Sequence, residues 1–477
     1  MLNVTIAKEG LKELPEKYVC LVLTEESVTY QRLVETSSGI LEYRMGVGKF
    51  GKVTPRTYRT LVRSIVRGAK SHQVEYLTID FSILKSFSEL QVLGDDWLAS
   101  TLAENILLAD YEFHTYKTKS KSKRALKEVV ISGLDTTAAK TGLARGLVVG
   151  EYVNKAREIT NTPACDMTPT HLGEAAKQLA KGTKLIVKVL GEKELKKLKM
   201  GSLLAVGQGT KSETKLIVAE YWGAGKVSGK KVEKDKQPAV LVGKGITYDT
   251  GGLNVKPSGG MHDMHMDMTG GSTVLAAIAC AAKLGLKKNI VAIVPAAENS
   301  VSDDAMRAGD IVTAMNGKTI EVLHTDAEGR MVLADGLTYS ERYNPRVILD
   351  VATLTGAALV ALGQHASAIM TKDEELERKL RDFGEESGDL VWPLPLWDEY
   401  KQHIKSSRAD VSNIAANFSR FGGTIEGATF LSFFAPKNVP WAHIDIAPRM
   451  ESIPSDKLAK GATGEPVRLL VKFLESY

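Results

Sequence analysis

Two glycine-rich segments concentrate the residues able to do chemistry. The first, VGKGITYDTGGLNVKPSGGMHDMHMDMTGG, runs over 242–271, and the second, EVLHTDAEGRMVLADGLTY, over 321–339. Together they carry Lys244, Asp249, Lys256, Asp267, Asp326, Glu328 and Arg330. Four ionised carboxylates brought together repel and raise one another's pKa values. Two divalent cations would cancel that charge, and a metal pair sharing carboxylates activates a water between them. Asp326 and Glu328 are two apart, so an extended backbone would turn both, and Arg330, to one side. Asp267 precedes a helix opened by Gly270 and Gly271, whose free amides favour anions. Singly, each residue has an ordinary reading: an Asp before a helix is a cap, Lys256 a surface lysine, DAEGR a turn. Their concentration at two strand ends of one region points to a dinuclear metal hydrolase.

The surrounding chain must bring these segments together. Both begin where an apolar strand ends, the place where open α/β sheets hold ligands. PAVLV at 238–242 delivers Gly243 and Lys244 to that edge, and Asp249 follows in a glycine-rich turn. From 238 onward come PAVLVGK, the helical GGSTVLAAIACAAKLG, NIVAIVPAA, a helix from Met331, PRVILDVATLTG, the strand WAHIDIA near 441 and a closing helix in GATGEPVRLLVKFLESY. This alternation predicts an α/β domain with a mainly parallel central sheet flanked by helices. Upstream, Thr168 and Pro169 open a helix, GSLLAVGQG and TKLIVAEYWG read as strands, and 224–236 reads as an exposed hairpin tip. The first 115 or so residues mix strands (VCLVL, VEYLTIDF) with helical patterns such as YRTLVRSIVRGAKS, which again predicts α/β structure. A linker helix over about 136–159 joins the parts. The expected organisation is a smaller N-terminal α/β domain over 1–155 and a larger C-terminal α/β catalytic domain over 156–477.

Composition excludes several classes. The 477 residues are 43% hydrophobic and 25% charged, as in an ordinary globular protein. Three scattered cysteines without CxxC spacing rule out a disulfide scaffold or zinc ribbon and suit a reducing compartment. No run of 18 apolar residues is present to span a membrane, and MLNVTIAKEG lacks the apolar stretch of a secretory signal. The net charge of +5 resides in 117–127, 181–199 and 226–236, outside both chemical segments. GVGKFGKV at 46–53 and Asp382-Phe383-Gly384 imitate a kinase, but the HRD and VAIK partners are missing. The same glycines fit a dinucleotide fingerprint, with no evident βαβ unit around them.

The two chemical segments resemble the leucyl aminopeptidases of the cytosolic dinuclear-metal family. That family's NTDAEGR signature is HTDAEGR here, at 324–330, and GKGITYDTGG…KPS…M…D matches its other half. The resemblance covers about residues 130–477, and the first 120 share it far less specifically. It implies that Lys244, Asp249, Asp267 and Glu328 hold a tighter metal, and that Asp249, Asp326 and Glu328 hold a more exchangeable one. Asp249 and Glu328 would bridge, and the Asp326 carbonyl would add a ligand. A lysine ligand must be neutral, which requires an adjacent dication. Zinc, manganese, cobalt or magnesium could occupy such sites. The implied mechanism has a metal hold the free α-amino group while a bridging hydroxide attacks the scissile carbonyl. Lys256 would stabilise the oxyanion, and Arg330 would hold a bicarbonate that moves protons. Met264, Thr353, Gly356 and Ala447 would shape the first side-chain pocket, with Met264 an adaptable wall suited to leucine or methionine. The resemblance further implies a cytoplasmic homohexamer of two stacked trimers acting on short peptides. A dinuclear hydrolase of another class, such as a phosphoesterase, and a secondary DNA-binding role at 117–127 are the alternatives.

The chain departs from the family pattern at His324, where imidazole can imitate part of an amide's hydrogen bonding. His262 and His265 beside Asp267 are expected to stand behind the ligands or to face solvent, and not to be metal ligands. Cys165, Cys280 and His443 are expected to be structural.

Overall fold

An apolar run such as AVLVG cannot present a wet face, so it belongs at the centre of a sheet covered on both sides. The computed structural model describes residues 2–7, 17–118, 126–226, 233, 236–418 and 421–477. These form two units, Met1–Asn154 with Ser452–Lys460, and Lys155–Glu451 with Gly461–Tyr477. Most of the basic stretch 117–127 and of the hairpin tip at 224–236 lies outside the described residues.

In the first unit, strands β1 (Asn3–Ile6), β2 (Val19–Thr24), β3 (Gln31–Glu35), β4 (Leu41–Gly46), β5 (Tyr76–Asp80) and β6 (Glu128–Ser132) form one sheet in the order β1-β6-β5-β2-β4-β3. Only the β3–β4 pair is antiparallel. The helix Pro55–Ser71 buries Tyr58, Val62, Ile65, Val66 and Ala69, one stripe at helical spacing. Contrary to the sequence reading, GVGKFGKV does lie between a strand and this helix, in a β4–helix–β5 crossover. Two groups occupy the donors a phosphate would need: Thr54 caps the helix by accepting from Thr57 N–H, and Glu25 accepts from Phe50 N–H at 2.9 Å. Phe383 of the DFG sequence packs edge-on against Phe473.

The second unit contains β7 (Ile186–Leu190), β8 (Lys215–Trp222), β9 (Ala239–Gly243), β10 (Gly245–Asp249), β11 (Asn289–Asn299), β12 (Ile311–Thr313), β13 (Thr319–Glu321), β14 (Val347–Ala352), β15 (Ser367–Thr371), β16 (Val391–Pro393), β17 (Val411–Ser412) and β18 (Trp441–Asp445). A nine-stranded sheet runs β16-β15-β18-β14-β9-β11-β8-β7, with β10 paired to β11. Its centre, β18-β14-β9-β11, is parallel, and antiparallel pairs flank it on both sides. A three-stranded sheet, β12-β13-β17, stands apart. The helix Thr269–Leu284 is buried along nearly its whole length, Cys280 included. Close approach explains its small residues: a Cβ on Gly270 would fall 2.1 Å from the Val351 carbonyl oxygen.

Three sequence expectations are corrected. GSLLAVG forms the helix Gly201–Gly207, not a strand. The four-residue apolar run LLAV has no decisive period, and here Asp335 accepts from Leu203 N–H at 2.8 Å, capping the helix from outside. The helix expected from Met331 begins at Glu328 and runs to Ser340. Asp326, Glu328 and Arg330 therefore do not share an extended strand. Cys165 is exposed rather than packed.

Within the parallel centre, His443 on β18 and Asp350 on β14 are paired in register and wholly buried. His443 Nδ1 lies 2.5 Å from Asp350 Oδ1, and Trp441 Nε1 donates to Asp350 Oδ2 at 2.7 Å. Burial by itself would lower the imidazolium pKa, but the Asp350 carboxylate outweighs it and raises the group above its ordinary value. Stability from this pair is thus fully present below about pH 6.5 and fades as pH rises through the raised value. Above about pH 6.5 the unfolding free energy of the parent should fall with a slope on the order of 1 kcal/mol per pH unit, and the thermal midpoint with it. His443→Gln should flatten that limb, and parallel slopes in melts from pH 6 to 9 would refute a charged His443.

Candidate metal centre

Lys244 follows the last residue of β9, and its backbone is fixed on both sides. Its N–H donates to Val351 O at 3.0 Å, and its carbonyl accepts from Gly271 N–H at 2.7 Å. The side chain turns into the protein, where Nζ lies 2.8 Å from Asp267 and 2.8 Å from Glu328 Oε1 and donates to Thr353 O at 3.0 Å. Glu328 is the first residue of its helix, and Asp267 sits in the 3-10 turn Met264–Met268 just before the helix Thr269–Leu284. Asp249 closes β10. Its Oδ1 accepts from Gly251 N–H and Asn299 Nδ2, each at 2.8 Å, leaving Oδ2 toward Lys256 Nζ at 2.7 Å. Lys256 Nζ also lies 2.5 Å from Asp326 Oδ1. Six of the seven residues expected in the chemistry come together, and Arg330 stands to one side.

The donor set fits divalent cations. Asp249, Asp326 and Glu328 each offer an oxygen, and these oxygens lie within 4.8 Å of one another. Asp267 Oδ2 and Asp326 Oδ1 are buried and have no hydrogen bond of good geometry among the described residues, although each lies close to an ammonium. Such orphaned anionic oxygens are the lone pairs a cation would take. Burial, reinforced by the Glu328 carboxylate, pushes Asp249 up to about 7. Burial likewise pushes Asp267 up to about 7 against the pull of Lys244, and burial and Glu328 raise Asp326. Burial opposes the charge on Glu328 too, but Lys244 and Lys256 hold it below the usual range. Both ammonium groups are disfavoured by burial and nevertheless raised by the surrounding carboxylates. The site is short of positive charge.

Arg330 is buried beside this cluster. Its Nη1 donates to Asn413 O at 2.8 Å, while Nε is buried and has no hydrogen-bond partner among the described residues. Burial lowers its pKa, opposed by the charges of Glu328, Glu426 and Asp445. His324 Nδ1 accepts from Asp326 N–H at 3.2 Å, so the imidazole takes the acceptor role of an amide oxygen. Burial and the nearby Lys256 charge lower its pKa and favour the neutral ring that this role needs. His262 is exposed and His265 half-buried, and neither joins the acidic cluster. Of the four expected pocket residues, Thr353 touches the cluster directly, its Oγ1 donating to Asp267 Oδ1 at 2.7 Å. Met264 and Ala447 are half-buried, and open space lies over Gly356 at the start of the short helix Gly356–Leu362.

Sequence reasoning missed the amides around the acids. Asn299 bridges Asp249 Oδ1 and Thr325 O, at 2.8 and 3.1 Å. Thr325 Oγ1 donates to Gly251 O at 2.6 Å and accepts from Asn254 N–H at 2.8 Å. Asn299 ends β11, so the strand-end rule that selected Lys244 could have selected it too.

The catalytic-domain model of the cytosol aminopeptidase family matches residues 154–471, and its N-terminal-domain model matches residues 43–120. A probable cytosol aminopeptidase of Paraburkholderia phymatum is 41% identical over 433 residues, 90% of this chain and 82% of that protein. One from Saccharophagus degradans is 44% identical over 394 residues, 81% of this chain and 76% of its own length. Among solved structures, a tomato leucine aminopeptidase variant superposes with a TM-score of 0.86 at 29% identity, covering 100% of this chain and 97% of that one. The bottromycin maturation enzyme BotP in complex with Mn gives 0.83 at 30% identity, covering 97% and 99%.

Lys244 can occupy its position only because residue 329 has no side chain. A Cβ there would fall 2.5 Å from Lys244 Cε and 2.6 Å from Nζ. Gly329→Ala should therefore fold but push Lys244 away from Asp267 and Glu328. We expect Mn²⁺ affinity, read by titration calorimetry, to weaken about tenfold or more. Unchanged affinity would show that the position of Lys244 is immaterial to the metal.

Proposed function

The chain belongs to the cytosol aminopeptidase family, and from that membership we propose how its site releases the N-terminal residue of a peptide. It is a metal-dependent aminopeptidase acting on peptide N-termini. What carries the reading of the site is the convergence of Asp249, Asp326 and Glu328 within 4.8 Å beside two lysines at the ends of parallel strands. In this reading two divalent ions are held, one by Lys244, Asp249, Asp267 and Glu328, the other by Asp249, Asp326 and Glu328. Zinc or manganese, and also cobalt or magnesium, suit such donors, and manganese is the metal bound by BotP. When bound, the ions supply Lewis acidity, an anchor for the free α-amine and an activated water.

The remaining work falls to the chain's own side chains. Lys244 has all three ammonium hydrogens directed at Asp267, Glu328 and the Thr353 carbonyl, which anchors it. Lys256 faces two carboxylates and is partly exposed, which leaves a hydrogen for the oxyanion that develops on the scissile carbonyl. The unpartnered Nε of Arg330 supports a planar anion there, bicarbonate in this reading, placed to accept a proton. Met264, Gly356 and Ala447 would line the space for the first side chain, with Thr353 at its junction with Asp267. Their small or adaptable character favours leucine, methionine and similar residues. Family membership also supports a homohexamer of two stacked trimers in the cytoplasm that admits short peptides.

Leucine p-nitroanilide hydrolysis tests the proposal. Chelation should abolish activity, and Mn²⁺ or Zn²⁺ should restore it. Lys256→Ala should lower kcat by about 10²–10³-fold, and Glu328→Gln should weaken both metal binding and turnover. Near-parental activity in either variant would sink the assignment, as would metal-dependent cleavage of a phosphodiester with no peptidase activity.

A further inference from the structure

The stretch from Leu323 to Arg330 carries Asp326 and Glu328 yet lies at the end of a strand only three residues long, β13. Its buried backbone groups still need partners. β13 pairs with β17 in parallel, Ile320 with Val411 and Glu321 with Ser412, and there the strand pairing stops. Asn413 comes next and is fully buried. Its N–H donates to Glu321 O at 3.0 Å. Its side chain then continues the ladder. Oδ1 accepts from Leu323 N–H at 2.8 Å and from His324 N–H at 3.2 Å, while Nδ2 donates to His324 O at 2.7 Å. A carboxamide is the side chain that presents a donor and an acceptor together, as a peptide group does. At the other end of the stretch, the Asn413 carbonyl accepts from Arg330 Nη1 at 2.8 Å.

We infer that Asn413 is a positioning residue for the aminopeptidase reaction, holding the two ends of the acid-bearing loop, His324 and Arg330, at fixed separation. The inference rests on the roles given above to Asp326, Glu328 and Arg330. Asn413 acts on Asp326 through the neighbouring His324 backbone, and on the guanidinium through its own carbonyl. It does so from 83 residues beyond Arg330 in the chain.

Asn413→Asp and Asn413→Ala, in the full chain, test this. The aspartate variant is nearly isosteric and keeps an acceptor for the two N–H groups, but it sets an oxygen against the His324 carbonyl. A space-filling role therefore leaves it near parental, whereas a hydrogen-bonding role does not. Two readouts are taken, both per folded molecule as judged by circular dichroism. They are kcat and KM for leucine p-nitroanilide at saturating Mn²⁺, and Mn²⁺ affinity of the metal-stripped protein by calorimetry. In both variants kcat should fall about tenfold or more while KM changes less than about threefold, and Mn²⁺ should bind about tenfold more weakly. Parental kcat and parental Mn²⁺ affinity in Asn413→Asp would overturn the inference, as would a loss confined to KM. If Asn413→Ala does not fold, Asn413→Asp decides alone. A parent that binds Mn²⁺ without cleaving the anilide would refute the functional reading instead, and the affinity comparison would still judge Asn413.

Discussion

Lys244 lies between Asp267 and Glu328, and Lys256 between Asp249 and Asp326, so each ammonium answers two carboxylates in a largely buried site. Taking ions out of water costs several kcal/mol each even after relaxation. Two positive charges among four carboxylates do not offset that. Neutral donors help in part: Gly251 N–H and Asn299 Nδ2 on Asp249, and Thr353 Oγ1 on Asp267. The remaining imbalance shows in Asp249 and Asp267, both pushed up to about 7. A protein retains so unfavourable a cluster where a function draws on it, and a bound metal would bring the charge it lacks.

Holding the cluster together demands a stiff frame, because like charges would otherwise drive its members apart. Parallel strands β9 and β14 end side by side, and the helix Thr269–Leu284 starts against them at backbone contact distance. Lys244, Thr353 and Asp267 are thereby set by main-chain geometry before any side chain chooses a rotamer. The second segment has no such frame of its own. Its short strand β13 leaves Asp326 and Glu328 beyond the end of regular pairing, so side-chain amides and hydroxyls take over: Asn413 on one flank, and Asn254, Asn299 and Thr325 on the other. Both segments supply acids, but by different physical means.

This division explains what was legible in the sequence. The β9 strand end, the buried small-residue helix and the acids themselves could be read because periodicity and residue type report local structure. GSLLAVG could not, because its helical state depends on Asp335, more than a hundred residues away in the chain. Nor could the start of the helix at Glu328, which replaces the extended DAEGR geometry with one acid in a turn and the next in a first helical turn. Asn413 was invisible as a site residue because it bears no charge and its partners lie far along the chain, whereas Asn299 was marked only by its place at the end of β11. His324 was visible as a departure, and its Nδ1 bond to Asp326 N–H shows how imidazole serves where the family pattern has an amide.

The two lysines show how position alone separates residues of one type. Lys244 has a side-chain exposure of 4% and directs its three hydrogens to Asp267, Glu328 and a carbonyl, so nothing remains to offer a substrate. Were its amine to lose a proton beside a dication, it would have a lone pair to give that cation. Lys256, at 16%, has two acidic partners and an open side. A cation that takes those carboxylates frees its ammonium while the charge stays in place, next to where an oxyanion would form. The same charge deficit would thus make one lysine a ligand and keep the other an acid, and what decides between them is enclosure.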